Sequence, residues 1–342
     1  MIDMGINTAS VMVFVSGANG YIAQHVVKQL LAKGYTVVGS VRSESKGDEL
    51  KLLIQNEKFS YEVIPTLSDK NAFDAALKKH PEVTVFLHTA SPVSFAIEDV
   101  ENDLVKPAIE GTLNALRSIK EHAPQITRVV ITSSAVAMWG FGSHFDGNKV
   151  HDELDWSPIT YEEGLAGASF GYKSSKKYAE LAAHDFMTKE KPNFAITYVH
   201  PTYTFGPQAY VVKDKKNLNL SNEIVNQVIK LGKDDEIPEH GNVFADVRDV
   251  AQAHIVAFES DEAIGQRLLL ASGDFTLDSV AEIINRRFPH SNVPRGDVSR
   301  NEEIKKKMIH KYDNSKTRKI LGFEFKTLEE SIYDMVEQLD NA

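Results

Sequence analysis

The sequence predicts an α/β protein: a doubly wound parallel sheet over residues 11–200, followed by a smaller mixed α/β domain over 201–342. Two observations carry this. Short apolar, β-branched runs alternate with amphipathic segments through the first 200 residues, the pattern of strand–helix–strand units with helices on both faces of a sheet. After Gly206-Pro207 the texture changes to Lys and Asn clusters with fewer strand-like runs. No linker shows in the composition, so the boundary is soft and the chain can cross back. Residues 1–10 read as a short extension ahead of the first strand.

The elements follow in order. Residues 11–15 are continuously apolar, as in a strand buried on both faces. From Gly20 the pattern turns helical, with Ile22, Val26, Val27, Leu30 and Leu31 at spacings of three and four. Further strands are expected at 35–41, 60–64, 84–88, 128–132 and 195–199, with helices near 47–56, 69–79, 97–122 and 171–190. Beyond them come a helix at about 246–259, a strand at 267–271, and helices at 276–287 and 327–339. Right-handed crossovers place the ligand crevice of such a sheet at the C-terminal ends of its strands.

The 342 residues can bury a large core, and 42% hydrophobic with 25% charged residues is ordinary for a globular protein. A formal net charge of −10 argues against nucleic acid or an anionic membrane as partner. No apolar run is long enough to span a bilayer, and the first ten residues have neither a basic start nor an apolar stretch. The absence of cysteine removes disulfides, thiolate metal sites and cysteine nucleophiles. A cytoplasmic location is expected.

The first strand stops at Gly17, turns through Ala18 and Asn19, and restarts as a helix at Gly20, Tyr21 and Ile22. Strand, glycine turn and helix present backbone N–H groups at a helix N-terminus to an anion, most often a dinucleotide pyrophosphate. Gly17 permits the turn, Gly20 lets the backbone approach the phosphates, and Ala23 allows close helix–strand packing. Residues 11–200 are therefore read as a Rossmann-type dinucleotide-binding domain. At the end of the second strand an NAD site places an acid roughly 20 residues beyond the turn. Here the sequence is Val41-Arg42-Ser43-Glu44-Ser45-Lys46. Arg42 offers a planar donor fork suited to a 2′-phosphate and Lys46 adds a second charge, so NADPH/NADP+ is the expected cofactor. A solvated surface cation is the alternative reading of Arg42.

Tyr172 and Lys176 lie four apart at the start of an expected helix, on one face. A free tyrosine titrates at about 10, and a neighbouring ammonium is expected to lower that value toward general acid–base use. The pattern is cheap, and a second copy stands at Tyr312 and Lys316. Position separates them: the first falls between the fifth and sixth strands, the second follows the charged run 302–307 as a solvated helix or loop. Thr132-Ser133-Ser134 ends the fifth strand, where a hydroxyl can hold a substrate carbonyl; ordinary turn serines are the alternative. Trp139, Phe141, Phe170 and Tyr203 flank these motifs and can line an apolar pocket or simply pack in the core. His200, His25 and His88 are read as structural, with no pattern for metal ligation. Residues 135–169 are read as a substrate-side loop, not a metal site.

Together, Gly17-x-x-Gly20-x-x-Ala23, Thr132-Ser133-Ser134 and Tyr172-x-x-x-Lys176 resemble the extended short-chain dehydrogenase/reductases. More narrowly, residues 13–25, His88-Thr89-Ala90-Ser91-Pro92, Phe205-Gly206-Pro207-Gln208 and Asp246-Val247-Arg248-Asp249-Val250-Ala251 look like the fungal NADPH-dependent methylglyoxal and aldehyde reductases, relatives of dihydroflavonol reductase. The likeness runs from about residue 12 to the C-terminus. It implies Ser134 as catalytic serine, Tyr172 as proton donor, and Lys176 as the residue that holds the nicotinamide ribose and tunes the tyrosine. It implies Gly17 to Ile22 at the pyrophosphate, and Arg42 with Lys46 at the 2′-phosphate. It also implies Thr66 and Leu67 at adenine, and Thr89, Ala90, Pro201, Thr204 and Ser221 along the rest of the cofactor. Where Thr66 stands the family commonly has Asp. Ala135 stands where an aromatic is frequent and Val93 where a bulkier residue is, so a widened pocket favouring bulky aryl ketones over methylglyoxal is expected. The resulting expectation is an NADPH-dependent carbonyl reductase acting on a small-molecule aldehyde or ketone, monomeric or homodimeric. A nucleotide-sugar epimerase or dehydratase, and a non-catalytic NADP-sensing protein, are the alternatives.

Overall fold

The computed structural model describes residues 11–92, 97–211 and 218–340. In chain order the elements are β1 (Met12–Ser16), α1 (Tyr21–Ala32), β2 (Thr36–Val41), α2 (Glu44–Ile54), β3 (Phe59–Val63), α3 (Asp74–Lys79), β4 (Val83–His88), α4 (Lys106–His122) and β5 (Arg128–Thr132). There follow β6 (Val150–His151), α5 (Tyr161–Gly164), α6 (Ala168–Glu190), β7 (Ala195–Pro201), β8 (Tyr203–Phe205), α7 (Leu220–Ile229), β9 (Gly241–Asp246) and α8 (Val247–Glu259). The chain closes with β10 (Arg267–Leu270), β11 (Gly273–Thr276), α9 (Leu277–Arg287), α10 (Asn301–Met308), β12 (Lys311–Tyr312), α11 (Ser315–Leu321) and α12 (Leu328–Asp340).

Seven strands form one parallel sheet in the order β10-β7-β5-β4-β1-β2-β3. The order reverses between β4 and β1, so a crevice opens at the C-terminal ends of those two strands. Side chains alternate across each strand. Val13 and Val15 meet Val26, Val27 and Leu30 of α1 and Val250 and Ala253 of α8 on one face. Phe14 points to the other, with Phe73, Phe86, Ile119 of α4 and Phe186 of α6. There the Phe14 and Phe86 rings stack with centroids 5.0 Å apart and Phe73 meets Phe86 edge-on at 5.6 Å.

The remaining strands build a smaller unit, with β11-β9-β8 as a mixed three-stranded sheet. Phe205, Phe244, Phe275, Ile284, Ile332 and Met335 form its core. The chain crosses back from this unit: α8 packs on α1, and β10 pairs with β7 in the large sheet. Three side chains of α1 fasten the two parts. Tyr21 Oη donates to Gly206 O at 2.8 Å, His25 Nε2 lies 2.9 Å from Pro207 O, and Lys28 Nζ donates to Ala209 O at 2.7 Å. Burial lowers His25 to about 4, so at neutral pH it is a neutral ring that donates to that carbonyl.

Several boundaries differ from expectation for local reasons. α2 starts earlier, at Glu44, because Ser43 caps it by accepting from Lys46 N at 3.4 Å. α3 starts later, at Asp74, because the chain turns through 66–73 and Asn71 adopts φ 65°. The helix expected from 97 splits into a π turn over Glu101–Val105 and α4, with Pro107 in the first turn of α4. Tyr312 and Lys316 do not share a helix: the first is in β12 and the second in α11.

Candidate active site

The glycine turn is fixed from both neighbouring strands. Gly17 N donates to Ser40 Oγ at 3.1 Å and Ala18 N to Ser40 O at 2.8 Å, which ties the turn to β2. On the β4 side Ser16 Oγ accepts from Ala90 N at 3.1 Å and lies 3.0 Å from His88 Nδ1, while Thr89 Oγ1 donates to Ser16 O. Gly17 sits at φ 66°, and a Cβ there would lie 2.9 Å from Ala90 Cβ. Only glycine satisfies both conditions. Gly20 N closes the turn on Gly17 O at 2.9 Å, and Gly20 caps α1 without a side-chain hydrogen bond. The first N–H groups of α1 therefore have no side-chain cap and no acidic residue in the first turn. This cradle suits a pyrophosphate.

Arg42 follows β2 directly and is exposed, with Lys46 in the first turn of α2, also exposed, its Nζ 3.4 Å from Glu49 Oε2. Both cations thus stand at the strand end beside the glycine turn. Thr66 is exposed in the loop after β3; Leu67 is half-buried, and its carbonyl accepts from Asn114 Nδ2 at 3.2 Å. Ser221 lies in the first turn of α7, beside Asn222, which donates to Tyr21 Oη at 3.2 Å and Gly206 O at 2.8 Å. That contact brings the N-terminus of α7 against the start of α1. Thr204 is buried and its hydroxyl donates to Thr202 O at 3.0 Å, so the side chain is occupied by its own strand.

The chemistry-bearing side chains converge where β5 and β7 end. Ser133 N donates to Val199 O at 2.8 Å, extending the β5–β7 ladder by one residue. Ser134 then turns the chain, accepting from Val136 N at 3.4 Å at the start of a 3-10 turn over Ala135–Ala137. Its Oγ is hydrogen-bonded with Tyr172 and makes a long contact, 3.5 Å, to Pro201 O. Tyr172 comes from the first turns of α6, and Lys176, one turn further, is 8% exposed and donates from Nζ to Thr132 O at 3.3 Å. Serine, phenol and amine therefore surround the end of β5.

The electrostatics depart from the sequence expectation in one respect. Burial pushes the Tyr172 phenol above its ordinary value, with the Ser134 hydrogen bond opposing it and Tyr203 adding to the rise. The Lys176 ammonium donates to the Thr132 carbonyl at the end of β5. The phenol is thus held protonated. Burial also lowers Lys176 to about 8, while Glu180 pulls it back up. Burial, with the Lys176 charge adding to it, lowers His88 to about 3, so that ring is neutral.

The pocket residues divide. Phe170 is 37% exposed, and Phe141 and Phe170 help line a cleft of about 180 Å³ with Ile159 and Lys173, whose Nζ lies 4.2 and 4.8 Å from the two ring centroids. Trp139 is buried, 2% exposed, with its ring 4.8 Å from that of His310, so it packs behind the cleft. Ala135 is buried in the same core cluster and opens no space to solvent. Tyr203 meets His240 and Phe275 edge-on at 5.8 and 5.7 Å and acts electrostatically on Tyr172. Val93 lies outside the described residues. Sequence reasoning missed Glu180; its signal was the spacing of four from Lys176 on one helix face.

One consequence is testable at the turn. In Gly17→Val the left-handed backbone costs about 1–3 kcal/mol and the side chain overlaps Ala90. NADPH affinity is expected to fall at least about tenfold in a fluorescence titration; unchanged affinity would contradict the placement of the pyrophosphate there.

Comparison with known proteins shows the family and the fold. The profile of the NAD dependent epimerase/dehydratase family matches residues 13–271. A putative NADPH-dependent methylglyoxal reductase of Candida albicans is 50% identical over 339 residues, covering 97% of this chain and 99% of the relative. An NADPH-dependent methylglyoxal reductase of Saccharomyces cerevisiae is 42% identical over 334 residues, covering 96% and 97%. The crystal structure of Gre2 from Candida albicans in complex with NADPH superimposes with a TM-score of 0.93 at 45% identity, covering 97% of this chain and 99% of that one.

Proposed function

The chain belongs to the NAD dependent epimerase/dehydratase family, and on that premise we propose that it reduces small carbonyl compounds, methylglyoxal among them, with NADPH. The observation that carries the reading is the meeting of Ser134, Tyr172 and Lys176 at the end of β5, beside a glycine turn whose helix N-terminus has no side-chain cap. NADPH, when bound, supplies the hydride to the carbonyl carbon. The residues present fit that cofactor: Gly17 to Ile22, at an uncapped helix start, would hold the pyrophosphate, and Arg42 with Lys46 would hold the 2′-phosphate. Ser134 Oγ and the Tyr172 hydroxyl donate to the substrate oxygen, and Tyr172 passes its proton to that oxygen as charge develops there. Lys176 would hold the nicotinamide ribose and supply the positive charge that stabilises the phenolate Tyr172 becomes. Phe141 and Phe170 give the cleft an apolar wall.

NADPH absorbance, followed with a panel of aldehydes, diketones and aryl ketones, tests the reading. Consumption of NADPH with at least one class is expected, and no consumption with any would overturn it. The phosphate assignment has its own check. A charge-assisted hydrogen bond contributes about 1.5–3 kcal/mol, so Arg42→Ala is expected to raise the NADPH dissociation constant by about tenfold to a hundredfold. NADH binding stays unchanged. Equal losses for the two cofactors would place Arg42 away from the 2′-phosphate.

A further inference from the structure

Glu180 is a buried charge that the chemistry above does not use. It lies on α6 one turn beyond Lys176 and is 1% exposed. Three strands send donors to its carboxylate: Ser133 Oγ from the end of β5, His200 Nε2 at 2.7 Å from the end of β7, and Arg267 Nε at 2.6 Å from β10. A carboxylate this deep persists only when paired and hydrogen-bonded. What sets it apart from a plain ion pair is where those strands lead. Ser133 precedes Ser134, and His200 precedes Pro201, whose carbonyl accepts from Ser134 Oγ. Glu180 is also the carboxylate that acts on Lys176.

We propose that Glu180 is a positioning residue for the reduction: its carboxylate clamps the ends of β5 and β7 around Ser134 and sets a counter-charge one helical turn from Lys176. The proposal rests on the carbonyl-reductase reading. Burial works against ionisation of Glu180, but His200, His184 and Arg267 outweigh it and hold the group well below the usual carboxylate range. Burial lowers His200 despite Glu180, so at neutral pH that ring is a neutral donor and Arg267 is the paired cation. The guanidinium is anchored independently, donating to Glu153 O at 3.0 Å and stacking 4.0 Å from the Trp156 ring centroid. Lys176 faces Tyr172 and Glu180 on its own helix, His88 from β4 and the Thr132 carbonyl from β5. Glu180 faces His184 on α6, Ser133 from β5, Tyr198 and His200 from β7 and Arg267 from β10. Removing the Glu180 charge therefore lets Lys176 lose its proton at a lower pH.

The test compares wild type with Glu180→Gln, Glu180→Asp and Ser133→Ala as full-length protein. It measures NADPH oxidation with methylglyoxal across pH, NADPH affinity by fluorescence, and melting temperature. Glu180→Gln is expected to lower kcat at least about tenfold and to move the alkaline limb of kcat down by about one pH unit. NADPH affinity should hold. Glu180→Asp, which keeps the charge, should recover the limb. Ser133→Ala breaks the β5 clamp alone and should lower kcat without moving the limb. If the glutamine variant does not fold, the aspartate and alanine variants still separate kcat from cofactor affinity. A limb that stays in place, or a kcat that falls only in step with melting temperature and NADPH affinity, would overturn the proposal. Wild-type protein that leaves NADPH unoxidised overturns the reductase reading itself, a distinct result.

Discussion

Tyr172→Phe is expected to lower kcat/KM for carbonyl reduction by about 10²- to 10⁴-fold, the range that a positioned general acid contributes. The substitution removes one oxygen and keeps the ring. The ring that remains keeps the packing of α6 against α4 and α5, so NADPH affinity and melting temperature are expected to stay at their wild-type values. The loss arises because burial leaves a protonated phenol at the end of β5, within hydrogen-bond reach of Ser134. Steady-state NADPH oxidation with methylglyoxal, beside a fluorescence titration of NADPH, checks this. Turnover retained in the phenylalanine variant would remove Tyr172 from the proton-donor role.

Lys176→Met is the second large effect, and its signature is a split between activity and stability. The ammonium is 8% exposed and its one protein acceptor among the described residues is the Thr132 carbonyl, at 3.3 Å. Burying a cation with so little compensation is unfavourable, so an isosteric apolar chain leaves the melting temperature equal or higher. Activity moves the other way: kcat falls by about 10²-fold or more as the charge that stabilises the Tyr172 phenolate is lost. The pH sign follows from burial lowering the amine to about 8. The cation is present below that pH and is lost as pH rises through it, so wild-type kcat/KM declines above about 8. The methionine variant lacks that limb. A methionine variant as active as wild type, or a wild-type profile flat through that pH, would contradict the role.

Much of the large sheet was legible because a parallel strand buried on both faces must be apolar along its length. Residues 11–15, 84–88 and 128–132 stand out for that reason, and β1, β4 and β5 fall on them almost residue for residue. The glycine turn was legible because a backbone at φ 66° pressed against Ala90 admits no side chain. The helices of the smaller unit, α9 and α12, were legible by their periodicity; its strands were not. β8, β9 and β11 are strands of three to six residues in a mixed sheet, and nothing local separates Tyr203-Thr204-Phe205 from a turn until Phe244 and Phe275 pack on it. Contacts of long reach were hidden as well. Tyr21 reaches Gly206, and Ser133, His200 and Arg267 reach Glu180, across sequence gaps that no periodicity records.

At the trio itself, the spacing of four puts Tyr172 and Lys176 one turn apart on α6, as the sequence predicts. Sharing a face brings two side chains near each other; it does not decide which partner a long, flexible ammonium selects. Here the amine donates to the Thr132 carbonyl at the end of β5, and burial raises the phenol.

The central claim is that this site moves a hydride from NADPH to a carbonyl carbon while Tyr172 protonates the oxygen. Its most direct test supplies wild-type protein with NADPH deuterated at the transferring position of nicotinamide C4, together with methylglyoxal, and analyses the product by mass spectrometry. An alcohol carrying one deuterium on the former carbonyl carbon, formed in step with NADPH consumption and absent with Tyr172→Phe, is the expected result. An unlabelled alcohol, or NADPH left unchanged, would contradict the account.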